Sequence, residues 1–266
     1  MTRFLKIILF FFFAVFLAST NAHATIIADN YIGANDHSRG DVIGRTNLFN
    51  ISGAEVNLVG NTLTVDIYTK FAGRGDDGLF TGLTGGKGIG YGDLFLANAW
   101  DPFGDPKYTG DNHSTGTTWT YAVGLGDNRW DSTGGSATLY SLTGPDNDTN
   151  ARLSGDFMTG GTYRNGQEVA VDASLVNVAS GNVNPLLNSA SWSIQNNDYI
   201  RFVMDITGTN LLSGNEIAFH WGQTCQNDVI EGSAPVPEPA TILLLGTGLF
   251  GLAGVGRKKI KKTRDN

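Results

Sequence analysis

Asp146-Asn147-Asp148-Thr149-Asn150 sets oxygen-bearing side chains at alternate positions, as the first three ligands of a calcium loop are set. The rest of the EF-hand pattern is missing. Its sixth position needs Gly for a sharp turn and is Ala151; its twelfth needs a bidentate Glu and is Phe157. Asp146, Asp148 and Asn150 therefore stand as a candidate calcium set only for a loop of another kind, beside the plainer reading of a polar turn.

Cys225 is the only cysteine, so it has no internal disulfide partner. A Cys-His nucleophile would need His37, His113 or His220 beside it, and no recognisable nucleophile context surrounds it. A buried small thiol is expected. The same histidines and Cys225 lack the paired spacing of a zinc site. Gln226-Asn227-Asp228, with His220 nearby, is unusually polar between apolar runs. It reads as a structural turn, a calcium ligand set or a ligand pocket, in that order. Glycoside cleavage commonly uses paired carboxylates, and Glu55, Glu168, Glu216 and Glu231 are the glutamates available before the C-terminal tail. Glu216 and Glu231 lie in the best-marked region, but spacing alone does not bring them together. Trp119, Trp192 and Trp221 fall within apolar runs and read as core. Trp100 and Trp130 fall in Asp-rich, loop-like surroundings and are the better sugar-stacking candidates. Gly85-Gly86-Lys87-Gly88 lacks the Ser or Thr that a phosphate loop carries after its Lys, and Arg74-Gly75-Asp76 is a tripeptide that chance supplies often.

The elements that must position these residues are strands. Glu55-Val56-Asn57-Leu58-Val59 alternates, Gly60-Asn61 turns, and Thr62-Leu63-Thr64-Val65-Asp66-Ile67-Tyr68 alternates again, a hairpin signal. Further strands are predicted over Asp93–Ala97, Thr117–Val123, Ser136–Leu142, Glu168–Val171, Ser191–Ile194, Tyr199–Ile206 and Glu216–Trp221, separated by Gly, Asn, Asp and Ser clusters. No convincing amphipathic helix and no fixed-period repeat appears between them. The expected fold is all-β, a β-sandwich of jelly-roll type.

The 266 residues are 41% hydrophobic, enough for a core. Much of that apolar content lies at the ends. Arg3 and Lys6 precede an unbroken apolar run from Ile7 to Leu17, and Ala22-His23-Ala24 follows with small residues at Ala22 and Ala24. This is the order of a signal peptide over residues 1–24, cut by signal peptidase ahead of Thr25. Setting the ends aside leaves a body over 25–234. Arg3, Lys6, Arg257, Lys258, Lys259, Lys261, Lys262 and Arg264 are eight of the 18 basic residues, and Glu238 and Asp265 are two of the 25 acidic ones. The body is left with 10 basic and 23 acidic groups, a net charge of −13. Nucleic acid and anionic membrane would both be repelled. Nineteen of the body's acids are Asp, which favours turns and offers oxygen ligands.

At the far end, Val236-Pro237-Glu238-Pro239-Ala240 leads into an apolar run to Val255 and then into Arg257, Lys258, Lys259, Lys261 and Lys262. Pro-Glu-Pro, short hydrophobic helix and basic cluster, over 235–262, resemble the PEP-CTERM sorting signal. The positive-inside rule keeps the basic stop cytoplasmic and the body outside the membrane. The prolines hold the approach to the run extended. The resemblance implies processing by an inner-membrane exosortase, passage through a membrane-inserted stage, and delivery to the cell surface or extracellular matrix of a Gram-negative-type bacterium. Three stretches of the body, Gly40–Gly44, Gly90–Leu96 and Phe219–Gly232, are similar to those of a group of exosortase-dependent surface proteins, a likeness that implies placement and no catalytic residues. The function expected is that of a non-enzymatic surface protein, with extracellular polysaccharide as a candidate partner. The alternatives are a polysaccharide-acting hydrolase and a calcium-dependent glycan-binding module.

Overall fold

Val59 and Thr62 face each other across Gly60-Asn61, closing the hairpin of strands β2 (Ile51–Val59) and β3 (Thr62–Thr69). Gly60 takes a φ of +61°, a conformation that a two-residue hairpin loop requires and Gly adopts at least cost. The computed structural model describes residues 23–34, 40–105, 107–131, 133–176 and 181–236. Ala22 of the expected cleavage site lies outside them, as does the tail from Pro237 onward, with Glu238, Pro239, Arg257, Lys258, Lys259, Lys261 and Lys262. The compact unit described is Ala24–Val236.

The remaining strands are β1 (His23–Ala28), β4 (Leu94–Ala97), β5 (Tyr121–Gly124), β6 (Gly134–Leu142), β7 (Ala151–Leu153), β8 (Glu168–Val171), β9 (Val183–Gln195), β10 (Tyr199–Asp205), β11 (Glu216–Gly222) and β12 (Val229–Pro235). Among the described residues ten of them form one sheet, ordered β1-β2-β3-β10-β9-β6-β5-β4-β11-β12, and β7 pairs with β8 as a separate hairpin. The all-β expectation holds. The sheet curls until its ends approach, nearly a barrel. Gly232 of β12 lies against the Ile27 side chain of β1, and the Ile51 N–H at the start of β2 donates to Asp228 Oδ2 at 2.6 Å. Gly53, at φ +146° in a bulge of β2, makes room for β1: a Cβ there would stand 2.6 Å from the Ile27 carbonyl oxygen.

Alternation explains the interior. Leu63, Val65 and Ile67 of β3, Ile200, Phe202 and Met204 of β10, and Ile217, Phe219 and Trp221 of β11 all point into one core. β4 and β11 are buried on both faces. Their outer faces present Phe95, Ala97, Ala218 and His220 to a second apolar layer with Trp119, Leu142, Ala151 and Val171. The β7–β8 hairpin supplies Ala151 and Val171 of that layer, and so roofs this part of the sheet.

The predicted strand over Thr117–Val123 begins only at Tyr121. The Asn147 amide takes the place of a neighbouring strand for the residues before it: Nδ2 donates to the Thr117 carbonyl and Oδ1 accepts from the Trp119 N–H, each at 3.0 Å. β1, β7 and β12 were outside the predicted strands.

Candidate functional site

β11 and β12 put His220 opposite Glu231, and both are buried. His220 Nδ1 donates to Glu231 Oε1 at 2.9 Å, and Nε2 donates to the Glu168 carbonyl of β8 at 2.8 Å. Both ring nitrogens meet acceptors, so the charged imidazolium is the form this site satisfies. Burial pushes its pKa down, but the hydrogen bond and charge of Glu231, with Glu168, outweigh that and raise it. Trp100 covers the pair. Its Nε1 donates to Glu231 Oε2 at 3.2 Å, and its backbone N–H donates to Glu216 Oε1 at 2.9 Å. Ser233 donates to the other oxygen of Glu216 at 2.6 Å. Thus Glu216 and Glu231 are brought to the same tryptophan, and both are spent on internal hydrogen bonds. Glu168 is raised to about 7 by burial, and Asp111 to about 8 by burial and the charge of Glu231. Tyr31, also buried, is raised by burial and by Glu231. This is a closed acid–histidine cluster beneath the outer roof.

A second polar cluster joins Asp29, Asp41 and Asp228, whose carboxylate oxygens lie within 4.8 Å of one another. Burial and mutual repulsion raise Asp29 to about 9; burial raises Asp228 to about 8. Arg164, fully buried, lies beside all three and supplies positive charge from within the chain. Its Nε donates to the Gln226 carbonyl at 3.2 Å, and Nη2 donates to the carbonyls of Gly40 and Asp41. The Cys225-Gln226-Asn227-Asp228 segment is therefore a polar turn that anchors Arg164 and the start of β2. Cys225 is buried and its thiol is pushed up to about 12 by burial, which keeps it protonated at neutral pH.

The expected calcium residues sit elsewhere. Asp146 Oδ1 accepts from the Thr149 N–H, Asn150 Oδ1 accepts from the Gly144 N–H, and Asp148 pairs with His113. Asp146 and Asn150 thus spend side-chain oxygens closing their own turn, while Asn147 between them clamps residues 117–119.

An open site lies against the β7–β8 hairpin, which lines it with Arg152, Ala170 and Val171. Asp93, buried at the head of β4, ties three elements together. Its Oδ1 accepts from the Leu125 N–H at 2.9 Å and from Arg129 Nη2 at 3.0 Å; its Oδ2 accepts from the Val171 N–H at 2.8 Å. Over this anchor opens a cleft of about 610 Å³ lined by Gly124, Asp127, Trp130, Tyr140, Arg152, Asp156 and Asp172 among others. A smaller lobe of about 230 Å³ continues it toward Lys87 and Phe157, and the two share Asp127, Trp130, Arg152 and Asp156. Gly124 lets the Tyr140 ring lie across the backbone: a Cβ there would stand 2.7 Å from that ring. Trp130 Nε1 donates to the Gly88 carbonyl at 3.3 Å, and Lys87 Nζ lies 4.9 Å from its ring centroid.

Of the tryptophans proposed for binding, Trp130 lines this cleft and Trp100 roofs the closed cluster; Trp119, Trp192 and Trp221 are in the core. Sequence reasoning missed Tyr31, Asp93, Asp111, Arg129 and Arg164. A usable signal was an acid adjoining a strongly apolar strand, as in Asp93-Leu94-Phe95-Leu96 and Glu168-Val169-Ala170-Val171, because such an acid must be paired when buried. Val236, first residue of the expected sorting motif, ends the described chain, its N–H donating to the Asn215 carbonyl at 2.9 Å.

Neither a curated protein nor a solved structure matches the chain. The family model of the PEP-CTERM protein-sorting motif matches residues 235–258. The chain therefore carries a PEP-CTERM protein-sorting motif, the signal that addresses a protein to exosortase and to export at the surface of a Gram-negative-type bacterium.

Proposed function

We propose that this is an exosortase-processed surface or matrix protein with a non-catalytic β body. Signal peptidase cuts behind Ala24, the run from Ala240 to Val255 holds the protein in the inner membrane for a time, and exosortase then releases it outward. The carrying observation is the sorting motif at 235–258, which begins where β12 ends at Pro235. The non-catalytic reading draws support from the interior. The one thiol is buried and protonated, and the carboxylates of Glu216 and Glu231 are engaged by Trp100, Ser233 and His220.

A hydrolase has one observation in its favour: Glu168, raised to about 7, lies in the same cluster as His220 and Glu231, and a general acid is best poised near the working pH. Against it, all three are buried.

The test is fractionation in the native host of the wild-type chain, Glu238→Ala and a deletion of residues 257–262, with mass spectrometry of the surface pool. The wild-type surface pool should start at Thr25, and both variants should be retained in the inner membrane. Surface delivery of both at the wild-type level, or peptides from residues 1–20 in the surface pool, would refute the processing route.

A further inference from the structure

We infer that the Trp130 cleft is a binding site for an uncharged oligosaccharide segment of an extracellular polysaccharide. The inference deepens the proposed function, resting on its reading of the body as a surface module. Four observations lead to it.

The first is size and shape. The main lobe, at about 610 Å³, falls within the roughly 300–1,000 Å³ typical of small-molecule sites. The second lobe shares its Asp127, Trp130, Arg152 and Asp156, so two spaces adjoin at these residues, Trp130 among them. Two adjoining spaces of unequal size suit linked sugar rings better than one compact ligand.

The second is the pairing of chemistries. A pyranose has apolar C–H faces and a rim of hydroxyls. Trp130 and Tyr140 offer flat apolar surface, and Asp127, Asp156 and Asp172 offer carboxylate oxygens to hydroxyl donors. An apolar ligand would leave those carboxylates desolvated without partners, which is costly.

The third is preorganisation. The indole is held at its edge by the Gly88 carbonyl and over its face by Lys87. The Asp172 carboxylate is fixed by the Ser174 N–H and Oγ, at 3.0 and 2.7 Å, and Asp156 by the Leu153 N–H at 2.8 Å. The floor is locked by the Asp93–Arg129 ion pair at 3.0 Å. Groups held in place before binding lose little freedom on binding.

The fourth is charge. Asp93 and Arg129 cancel each other. Asp127, Asp156 and Asp172 outnumber Arg152 and Lys87, in a body whose net charge is −13. Uronate or sulfated chains would meet like charge, whereas an uncharged chain meets none.

The test uses the exported protein recovered from producing cells, with affinity electrophoresis through gels containing laminarin or dextran, and alginate as the acidic control. An uncharged polymer should retard the wild-type protein and alginate should not. Trp130→Ala should weaken retardation about tenfold, the loss of one well-placed aromatic contact. Ala173→Trp, which puts bulk on an exposed residue of the cleft wall, should do the same without removing any contact inside the fold. No retardation by either uncharged polymer, preferential retardation by alginate, or wild-type retardation of both variants at unchanged melting temperature overturns the inference. Product release from a retained polymer would instead leave the site standing and sink the non-catalytic body.

Discussion

The cluster around His220 and the cleft around Trp130 are built from the same kinds of residue and do opposite things. Each sets aromatic rings beside carboxylates and a cation, and each leans on β8. Around His220 the layer formed by Trp100 and Trp119 closes over the polar groups, with Phe95 beside the imidazole on the neighbouring strand, and the carboxylates of Glu216 and Glu231 are answered from within. Around Trp130 the rings line open space, and the carboxylates of Asp127 and Asp156 are exposed. The difference is the roof. Polar groups under a roof must be satisfied by the chain and so hold it together; the same groups at an opening are available to a ligand.

The comparison breaks most sharply at Glu231. Glu231→Ala leaves a buried imidazolium and the Trp100 Nε1–H without their acceptor, and breaking a buried charge pair costs about 3–5 kcal/mol. The melting temperature, followed by circular dichroism, should fall by roughly 10 °C on the scale for a body of this size. An unchanged melting temperature would mean that the cluster does not hold the outer layer in place.

Proton linkage is the next largest effect. Glu168, Asp111, Asp228 and Asp29 are raised to about 7, 8, 8 and 9, so between an unfolded carboxylate's pKa near 4 and those values the folded chain binds protons that the unfolded chain has released. His220 is raised as well, so its contribution is complete below about 6.5 and is lost as pH climbs through its folded value. Both kinds of group act in one direction: stability should fall as pH rises from 5 to 9. Asp131 and Asp205, lowered by hydrogen bonds from Thr133 and Thr207, are ionised in both states above pH 5; what they contribute is lost only in more acid solution and leaves this slope unchanged. Melting curves across that range check the slope, and Glu168→Gln should flatten it between pH 5 and 7. A melting temperature that climbs with pH would contradict the protonated interior.

The smallest effect is on the open side. Asp127→Asn should leave stability within about 0.5 kcal/mol, as surface substitutions do, while weakening retention on the uncharged polymer. A large loss of stability there would erase the distinction between the two sites.

Local patterns made much of the fold legible. The β2–β3 hairpin shows in alternation around Gly60-Asn61, and Glu168–Val171 coincides with β8. β12 escaped because Glu231 and Gly232 interrupt its apolar run, and both make sense only against His220 and Ile27. β7 is too short, at three residues, to show a period. Residues 146–150 were legible as a polar turn or a calcium loop; the hydrogen bonds of Asp146 and Asn150 close a turn there, and Asn147 stands in for a strand beside Trp119, a role that spacing does not show.

By itself the sequence determined the address and the fold class. A sorting signal is read along the chain by order alone, Pro-Glu-Pro, apolar run and basic stop, and strand alternation repeats every two residues. Only the tertiary structure decided which polar residues are sealed and which are open. Asp93, Arg129, Tyr140 and Asp172 are far apart in sequence and meet because β4, β6 and β8 converge beside the loop after β5. That choice depends on whether a roof covers a given face of the sheet, a property of packed layers that residue order does not display.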